Sequence, residues 1–234
     1  LNSWNNKNGD KHGLQETYQE NGQLESKENY QDGEKEGLQE YFDENGQLDI
    51  KEVFENGEKI LKETFFDDGT LLRKETYTYK SGILHGPSLI LNHYGKLIVS
   101  NNYKDGEKEG LQEEFHEDGS LSIKSNYKDG EKEGLQEEFH EDGSLNIKSN
   151  YKDGKRHGLQ ESYYRDGTIR SNFNYKEGKS IGTNWVKEKN GQISYLRNYK
   201  DGKEHGRHIT TFNNGQIDDK CYQDGRRSDM SFCD

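Results

Sequence analysis

Proline occurs once in this 234-residue chain, at Pro87, methionine once and cysteine twice. Disordered chains of low hydropathy are enriched in proline. The scarcity of proline therefore argues for a folded chain, although only 26% of the residues are hydrophobic and 33% are charged. Long apolar runs are missing as well. Nothing approaches the roughly 18 consecutive apolar residues that a membrane-crossing helix needs, and a thick globular core is nearly excluded. There is no basic excess. The net charge is −12, and the lysines are interleaved with carboxylates, as in Asp105-Gly106-Glu107-Lys108-Glu109. Nucleic acid and anionic lipid draw their affinity from clustered Lys and Arg, so the sequence argues against both as partners. Cys221 and Cys233 are either two free thiols at a frayed terminus or a local disulfide, and two cysteines do not fix the redox compartment. The chain starts at Leu1 rather than Met, which a removed N-terminal signal would explain, so the expected location is the cytoplasm or, after such processing, the periplasm or exterior.

What is abundant is glycine, 27 residues, with 15 tyrosines and nine phenylalanines, all at fixed intervals. One glycine series follows Asp, Asn, Glu or Ser: Gly9, Gly33, Gly57, Gly82, Gly106, Gly130, Gly154, Gly178, Gly202 and Gly225. A second comes four residues later, at Gly13, Gly37, Gly86, Gly110, Gly134, Gly158, Gly182 and Gly206. A third comprises Gly22, Gly46, Gly69, Gly95, Gly119, Gly143, Gly167, Gly191 and Gly215. The period is 24 residues, and residues 102–125 and 126–149 differ only at Ser122 against Asn146. Nine full units and a partial last unit, 222–234, make one repeat domain over 1–234, with irregular units at 57–99. Asp-Gly and Asn-Gly between alternating runs are hairpin signals. Short turns between successive strands require antiparallel neighbours. The expected fold is all-β: a single-layer, elongated, curved antiparallel meander of nine to ten β-hairpin repeats, about 90 Å long at about 4.8 Å per strand.

Equivalent positions should form columns. One is aromatic, with Tyr18, Phe42, Phe65, Phe115, Phe139 and Tyr163; a second holds Tyr30, Phe54, Tyr79, Tyr103, Tyr127, Tyr151, Tyr175 and Tyr199. A third is aliphatic, from Leu24, Leu48 and Leu71 to Ile193 and Ile217. These columns are expected to replace a core, each ring packing against rings of neighbouring units. Gln15, Gln39, Gln112, Gln136 and Gln160, with Lys27, Lys51, Lys124 and Lys148, are expected on an opposite, solvated face.

Segments such as Tyr151-Lys-Asp-Gly-Lys-Arg-His-Gly-Leu-Gln-Glu and Tyr199-Lys-Asp-Gly-Lys-Glu-His-Gly206 resemble the bacterial variant of the MORN repeat, typical of the YwqK-type antitoxin family. The resemblance covers nearly the whole chain. It implies a β-hairpin repeat fold and protein–protein interaction, with some relatives presumed to neutralise a toxin. The chain departs from the pattern in places. The His before the second glycine stands at His12, His85, His157 and His205 but gives way to Glu36, Glu109, Glu133 and Ile181, and the third unit has Leu61 in place of that glycine. Residues 57–99 are the least regular and most apolar, with Phe65, Phe66, Leu71, Leu72, Ile83 and Leu84 among them. A partner contact or a change of curvature is expected there first.

Catalysis needs unlike groups converging in a pocket, and a repeat array sets out the same groups at unit spacing. Glu16, Glu40, Glu113, Glu137 and Glu161 form such a row, adjacent members about 10 Å apart. His116 and His140 are likewise too far apart to share a zinc ion, which needs three or four ligands at one point. No nucleotide loop or nucleophile motif is present. The sequence thus reads as a non-enzymatic protein-binding module, without catalytic, cofactor or metal residues. It is either the immunity or antitoxin partner of a toxin or a secreted or surface-anchored scaffold or adhesin, and weak end-to-end self-association is expected of exposed sheet edges.

Overall fold

The computed structural model describes residues 5–212 and 214–233. They form β-strands joined by turns, apart from one 3-10 turn at Met230–Phe232. The chain packs as two compact units, 1–109 with 114–119, and 110–113 with 120–234. Within each, strands pair antiparallel with their sequence neighbours in a meander, as in the ladder from Gly13–Tyr18 through Leu24–Gln31 and Glu34–Phe42 to Leu48–Glu55. The expected all-β hairpin-repeat fold is the one observed.

Two kinds of turn alternate. At one edge the tip is a two-residue turn such as Asp129-Gly130, with φ of 49° and 79°. Positive φ at both positions defines a type I′ turn, whose twist matches that of the flanking strands. At the other edge the turn spans five residues. In Gln19–Gln23 the Gln19 N–H donates to the Gln23 carbonyl and the Gly22 N–H to the Gln19 carbonyl, both at 2.9 Å.

The second glycine has a different task. Ser125 faces Gln136 and Tyr127 faces Lys132, so Asn126 stands opposite three residues, Glu133, Gly134 and Leu135. This is an enlarged β-bulge, and Gly134 with φ 76° makes it possible. On its other side Gly134 lies in register with Tyr151, as Gly13 does with Tyr30 and Gly158 with Tyr175.

A bulge of this size takes a backbone N–H and C=O out of the ladder, and buried backbone groups need partners. In unit 1 the glutamine two residues after the glycine supplies them, whereas Gln136 accepts from Lys132 Nζ and donates to Glu138. Gln39 Oε1 accepts from the Asn29 N–H at 2.9 Å, and its Nε2 donates to the Asn29 carbonyl at 3.0 Å. Asn29 in turn donates from Nδ2 to the Leu38 carbonyl. Gln15 treats Asn5 in the same way, and Asn184 Oδ1 accepts from the Asn174 N–H at 2.7 Å. In the fourth unit Thr78 replaces the asparagine and donates to the Pro87 carbonyl at 2.7 Å.

These glutamines overturn the expected solvated face. Gln39 is 0% exposed and Gln15 1%. Among the described residues the buried set is polar, with Gln112, Gln136, Ser125, Ser149, Asn184 and His208, and Cys221 is its only apolar member. Gln160 is half-buried. The lysines lie on the opposite face. Gln15 and Gln39 both stand across from Glu28, whereas Lys27 faces Glu16 and Glu40, and Lys51 faces Glu40 and Glu63. The glutamate row thus has a lysine between successive members, Lys148 separating Glu137 from Glu161.

The tyrosine column also differs from a stack of rings. Lys11 Nζ lies 4.5 Å from the Tyr30 centroid, Lys35 Nζ 5.6 Å from that of Phe54 and Lys132 Nζ 5.1 Å from that of Tyr151. The Arg156 guanidinium lies 5.4 Å from the Tyr175 centroid. Rings therefore alternate with cations, an arrangement that covers each ring face while keeping the charge near water.

The last plug position holds His208, 2% exposed. Its Nε2 bonds the Asn198 carbonyl at 2.9 Å, and its Nδ1 lies 3.6 Å from Glu204 Oε1. Arg197 is close by, and Lys220 is its cross-strand partner. Burial pushes the His208 pKa below the ordinary histidine value, against the Asn198 carbonyl and Glu204, which raise it. The unfolded chain takes up a proton below about pH 6.5, where the folded chain still resists it. His208 thus leaves stability intact above that pH and lowers it as the pH falls. His208→Gln should remove this dependence, because glutamine fills the same place in other units. Thermal melts between about pH 7.5 and about pH 5 test it. An equal loss of Tm in both proteins would discard the assignment.

Candidate interaction surface

The positions between the Asp-Gly turns and the plug are spent on holding the repeats together. His12 Nδ1 accepts from the Asp32 N–H of the next unit at 3.4 Å, and His85 does the same for Asp105. Glu36 Oε2 accepts from the Asn56 N–H at 2.8 Å and Glu133 Oε2 from the Asp153 N–H at 3.0 Å. His and Glu interchange here because both offer an acceptor. Beside them the Gly33 N–H donates to the Lys11 carbonyl at 2.9 Å, and the Gly178 N–H to that of Arg156 at 2.9 Å. Where His or Glu stands here the tip is pinned to the one before it; Ile60 and Ile181 hold the position in two other repeats and offer no side-chain acceptor.

The five-residue turns at the other edge have no such fixed contents. A short acceptor closes each one: Asp68 Oδ1 takes the Thr70 N–H and hydroxyl, and these bonds hold its carboxyl below the usual range. Asp142 does the same for Ser144, with Arg165 at 2.7 Å as a further partner, and is held lower still. The leading residues of these turns vary from unit to unit: Gln19-Glu20, Asp43-Glu44, Phe66-Asp67, Asn92-His93-Tyr94, His116-Glu117 and Tyr164-Arg165.

In unit 1 two neighbouring turns of this edge bring three rings together. Phe66 meets His93 edge-on, with centroids 6.1 Å apart and planes at 80°, and His93 meets Tyr94 at 3.8 Å. Tyr94 is 71% exposed and Phe66 43%. Exposed carboxylates flank them at Glu44, Asp67, Glu117 and Asp118. Leu72 and Ile83 are also exposed. Among the described residues of unit 1, only Leu14 and Leu38 are large exposed apolar side chains outside 57–99. The irregular segment is thus where unit 1 gathers apolar surface. Sequence reading pointed to the segment but not to the His93–Tyr94 contact. The missing cue was that Asn92-His93-Tyr94-Gly95 replaces the acidic turn pattern of its neighbours.

Unit 2 uses the same edge differently. The Tyr164 hydroxyl donates to the Lys187 carbonyl at 2.8 Å, and Lys189 Nζ lies 5.6 Å from its ring centroid. Lys187 and Thr211 stand where earlier units place Tyr18, Phe42 and Tyr163. An open hollow of about 570 Å³ lies beside them, lined by Glu188, Lys189, Gln192, Ser194 and Phe212. Among the described residues no group of three or more His, Cys, Asp or Glu could hold a metal ion.

A family model described as a MORN repeat variant matches residues 11–32 and 35–56, and another, described as "Uncharacterised protein", matches residues 61–202. The chain belongs to the family of the longer match and is a MORN-repeat protein. The MORN segments contain Gln15 and Gln39, whose amides bond the backbones of Asn5 and Asn29. No curated protein matches the chain. Among solved structures, a porin-like protein from Bacteroides uniformis ATCC 8492 aligns over 88% of this MORN-repeat chain and 92% of its own, at 10% identity and a TM-score of 0.21. A similarity that low carries no structural argument.

Proposed function

We propose that this MORN-repeat protein is a non-enzymatic binding module that seats a basic partner protein on the turn edge of unit 1. The observation that carries the reading is the exposed Phe66–His93–Tyr94 cluster with carboxylates around it. Aromatic anchors supply much of the energy of protein interfaces, and surrounding charge of one sign speeds encounter with a partner of the other. The acidity of the whole chain, −12, favours the same class of partner. Within this reading, the resemblance to the YwqK-type family supports an immunity or antitoxin role, in which the partner is a basic toxin.

The test is quantitative. A partner recovered on the wild-type chain is measured against Phe66→Ser/Tyr94→Ser, whose side chains leave no backbone group unpaired. Affinity is expected to fall about 10- to 100-fold, and association to slow as salt rises. Unchanged affinity in the double variant would move the interface elsewhere. Failure of co-expression to relieve any toxicity of that partner would remove the antitoxin role.

The scaffold or adhesin reading is favoured by a separate observation, the disulfide between Cys221 and Cys233. Disulfides persist in oxidising compartments outside the cytosol.

A further inference from the structure

The C-terminal end of unit 2 carries a covalent closure that the repeat itself does not use. By strand register Cys221 takes the place held by Asn198, Asn174 and Asn150 in earlier repeats, since Tyr222 faces Gly206 as Tyr199 faces Gly182, so the position does not call for sulfur. Cys221 is 1% exposed and is bonded to Cys233, 12 residues on. Between them the pattern stops. Arg226–Ser228 pairs with Cys221–Gln223, and Asp229 stands where the next repeat glycine would fall. The chain then makes the single 3-10 turn Met230–Phe232.

This last segment lies over the final joint between tips. The Phe232 ring stands edge-on to His205, centroids 5.3 Å apart and planes at 82°. His205 Nδ1 accepts from the Asp224 N–H at 3.4 Å and lies 3.2 Å from Asp224 Oδ1. Yet the segment buries little. Met230 is 38% exposed and Phe232 41%, and the turn contains no buried residue. A three-residue strand and one ring contact are weak restraints on a chain end. The bond to Cys221 provides the restraint that packing does not.

We propose that the Cys221–Cys233 bond is an oxidation-dependent lock on the last repeat, and that the protein works where protein thiols are oxidised. This is independent of the partner reading above. Closure balances as two thiol–disulfide exchanges with a disulfide oxidant. The thiolate of Cys233, the less buried of the two, attacks the oxidant disulfide, forms a mixed disulfide and releases one thiol. The Cys221 thiolate then displaces the second thiol and forms the Sγ–Sγ bond. Two protons and two electrons leave the protein, and the oxidant becomes two thiols. Reduction runs the sequence backwards. It frees 229–233 from the sheet and uncovers the Asp224-Gly225 tip and the short strand that carries exposed Arg226 and Arg227.

Those arginines report the state of the lock. Limited trypsin digestion of the full chain, followed by intact mass, should cut after Arg226 or Arg227 at least about tenfold faster when the protein is reduced, because local opening then precedes cleavage more often. Cys233→Ser should match the reduced protein without any reductant, which separates the lock from side effects of the reducing agent. Protein taken from its source cells and alkylated before lysis should show no free thiol. Equal cleavage of oxidised chain, reduced chain and Cys233→Ser would overturn the lock. Alkylation of both cysteines in the freshly isolated protein would overturn the compartment.

Discussion

Gln39→Leu is expected to destabilise unit 1 by about 3 kcal/mol, because it strands the N–H and C=O of Asn29 together and each buried orphan costs about 1–3 kcal/mol. Leucine is close to glutamine in size, so the loss does not come from a cavity. Gln39 also donates to the Glu36 carbonyl at 3.2 Å and the Gly37 carbonyl at 3.3 Å, so the substitution removes the contacts that fix the entire bulge. Repeat arrays open locally. The loss should therefore appear first as faster hydrogen exchange at the Asn29 amide and then as a lower urea midpoint. The third unit provides the contrast. By register it has Val53 and Lys62 where a complete repeat has Asn and Gln, the glycine between them is missing, and Val53 pairs directly with Leu61. Lys62→Leu should then cost less than about 1 kcal/mol, the scale of a surface ion pair. Equal losses at Gln39 and Lys62 would show that the plug contributes nothing of its own.

Gly134→Ala is expected to cost unit 2 about 1–2 kcal/mol, the penalty of a left-handed conformation for a residue with Cβ. An added Cβ would meet nothing within 4 Å, so sterics with neighbouring groups play no part. The remaining cause is the φ of 76°, which the bulge opposite Asn126 imposes. Gly134→Asn should recover part of the loss, since asparagine tolerates this region. Gly202→Ala should cost more than Gly134→Ala, because its new methyl would also lie 3.1 Å from Lys179 Cβ and 3.0 Å from Lys179 Cδ. Denaturant titration of the three variants ranks them. A neutral Gly134→Ala would mean that the bulge can relax into another form.

These two positions show what the sequence disclosed and what it concealed. Gly134 and Asp129-Gly130 were legible because turn chemistry is local: few residues adopt positive φ, and their spacing marks where the chain folds back. Gln39 was not, because polarity normally predicts exposure. The bulge reverses that rule by releasing backbone groups that only a buried amide can satisfy. A trace was present even so. Asn, Gly and Gln are kept together in the unit around Gln39 and are all absent at Val53, Leu61 and Lys62. Residues lost together in one repeat point to a shared bond. The aromatic columns were visible as a period, but the lysines and arginines between the rings were not, since a cation in an alternating strand looks the same whether it faces water or a ring. The Phe66–His93–Tyr94 cluster depends on two turns 27 residues apart lying side by side, from Phe66 to His93, which strand pairing decides.

The His or Glu acceptor that pins one tip to its predecessor has a bearing on how such a chain grows. In the repeats that carry His or Glu, the donor and the acceptor of the joint recur with the same period, so an in-frame duplication of one such repeat arrives with its fastening complete. The near-identity of 102–125 and 126–149 is the mark such an event leaves. Copy number is then adjustable without redesign of those junctions, and repeats can be gained by replication slippage alone.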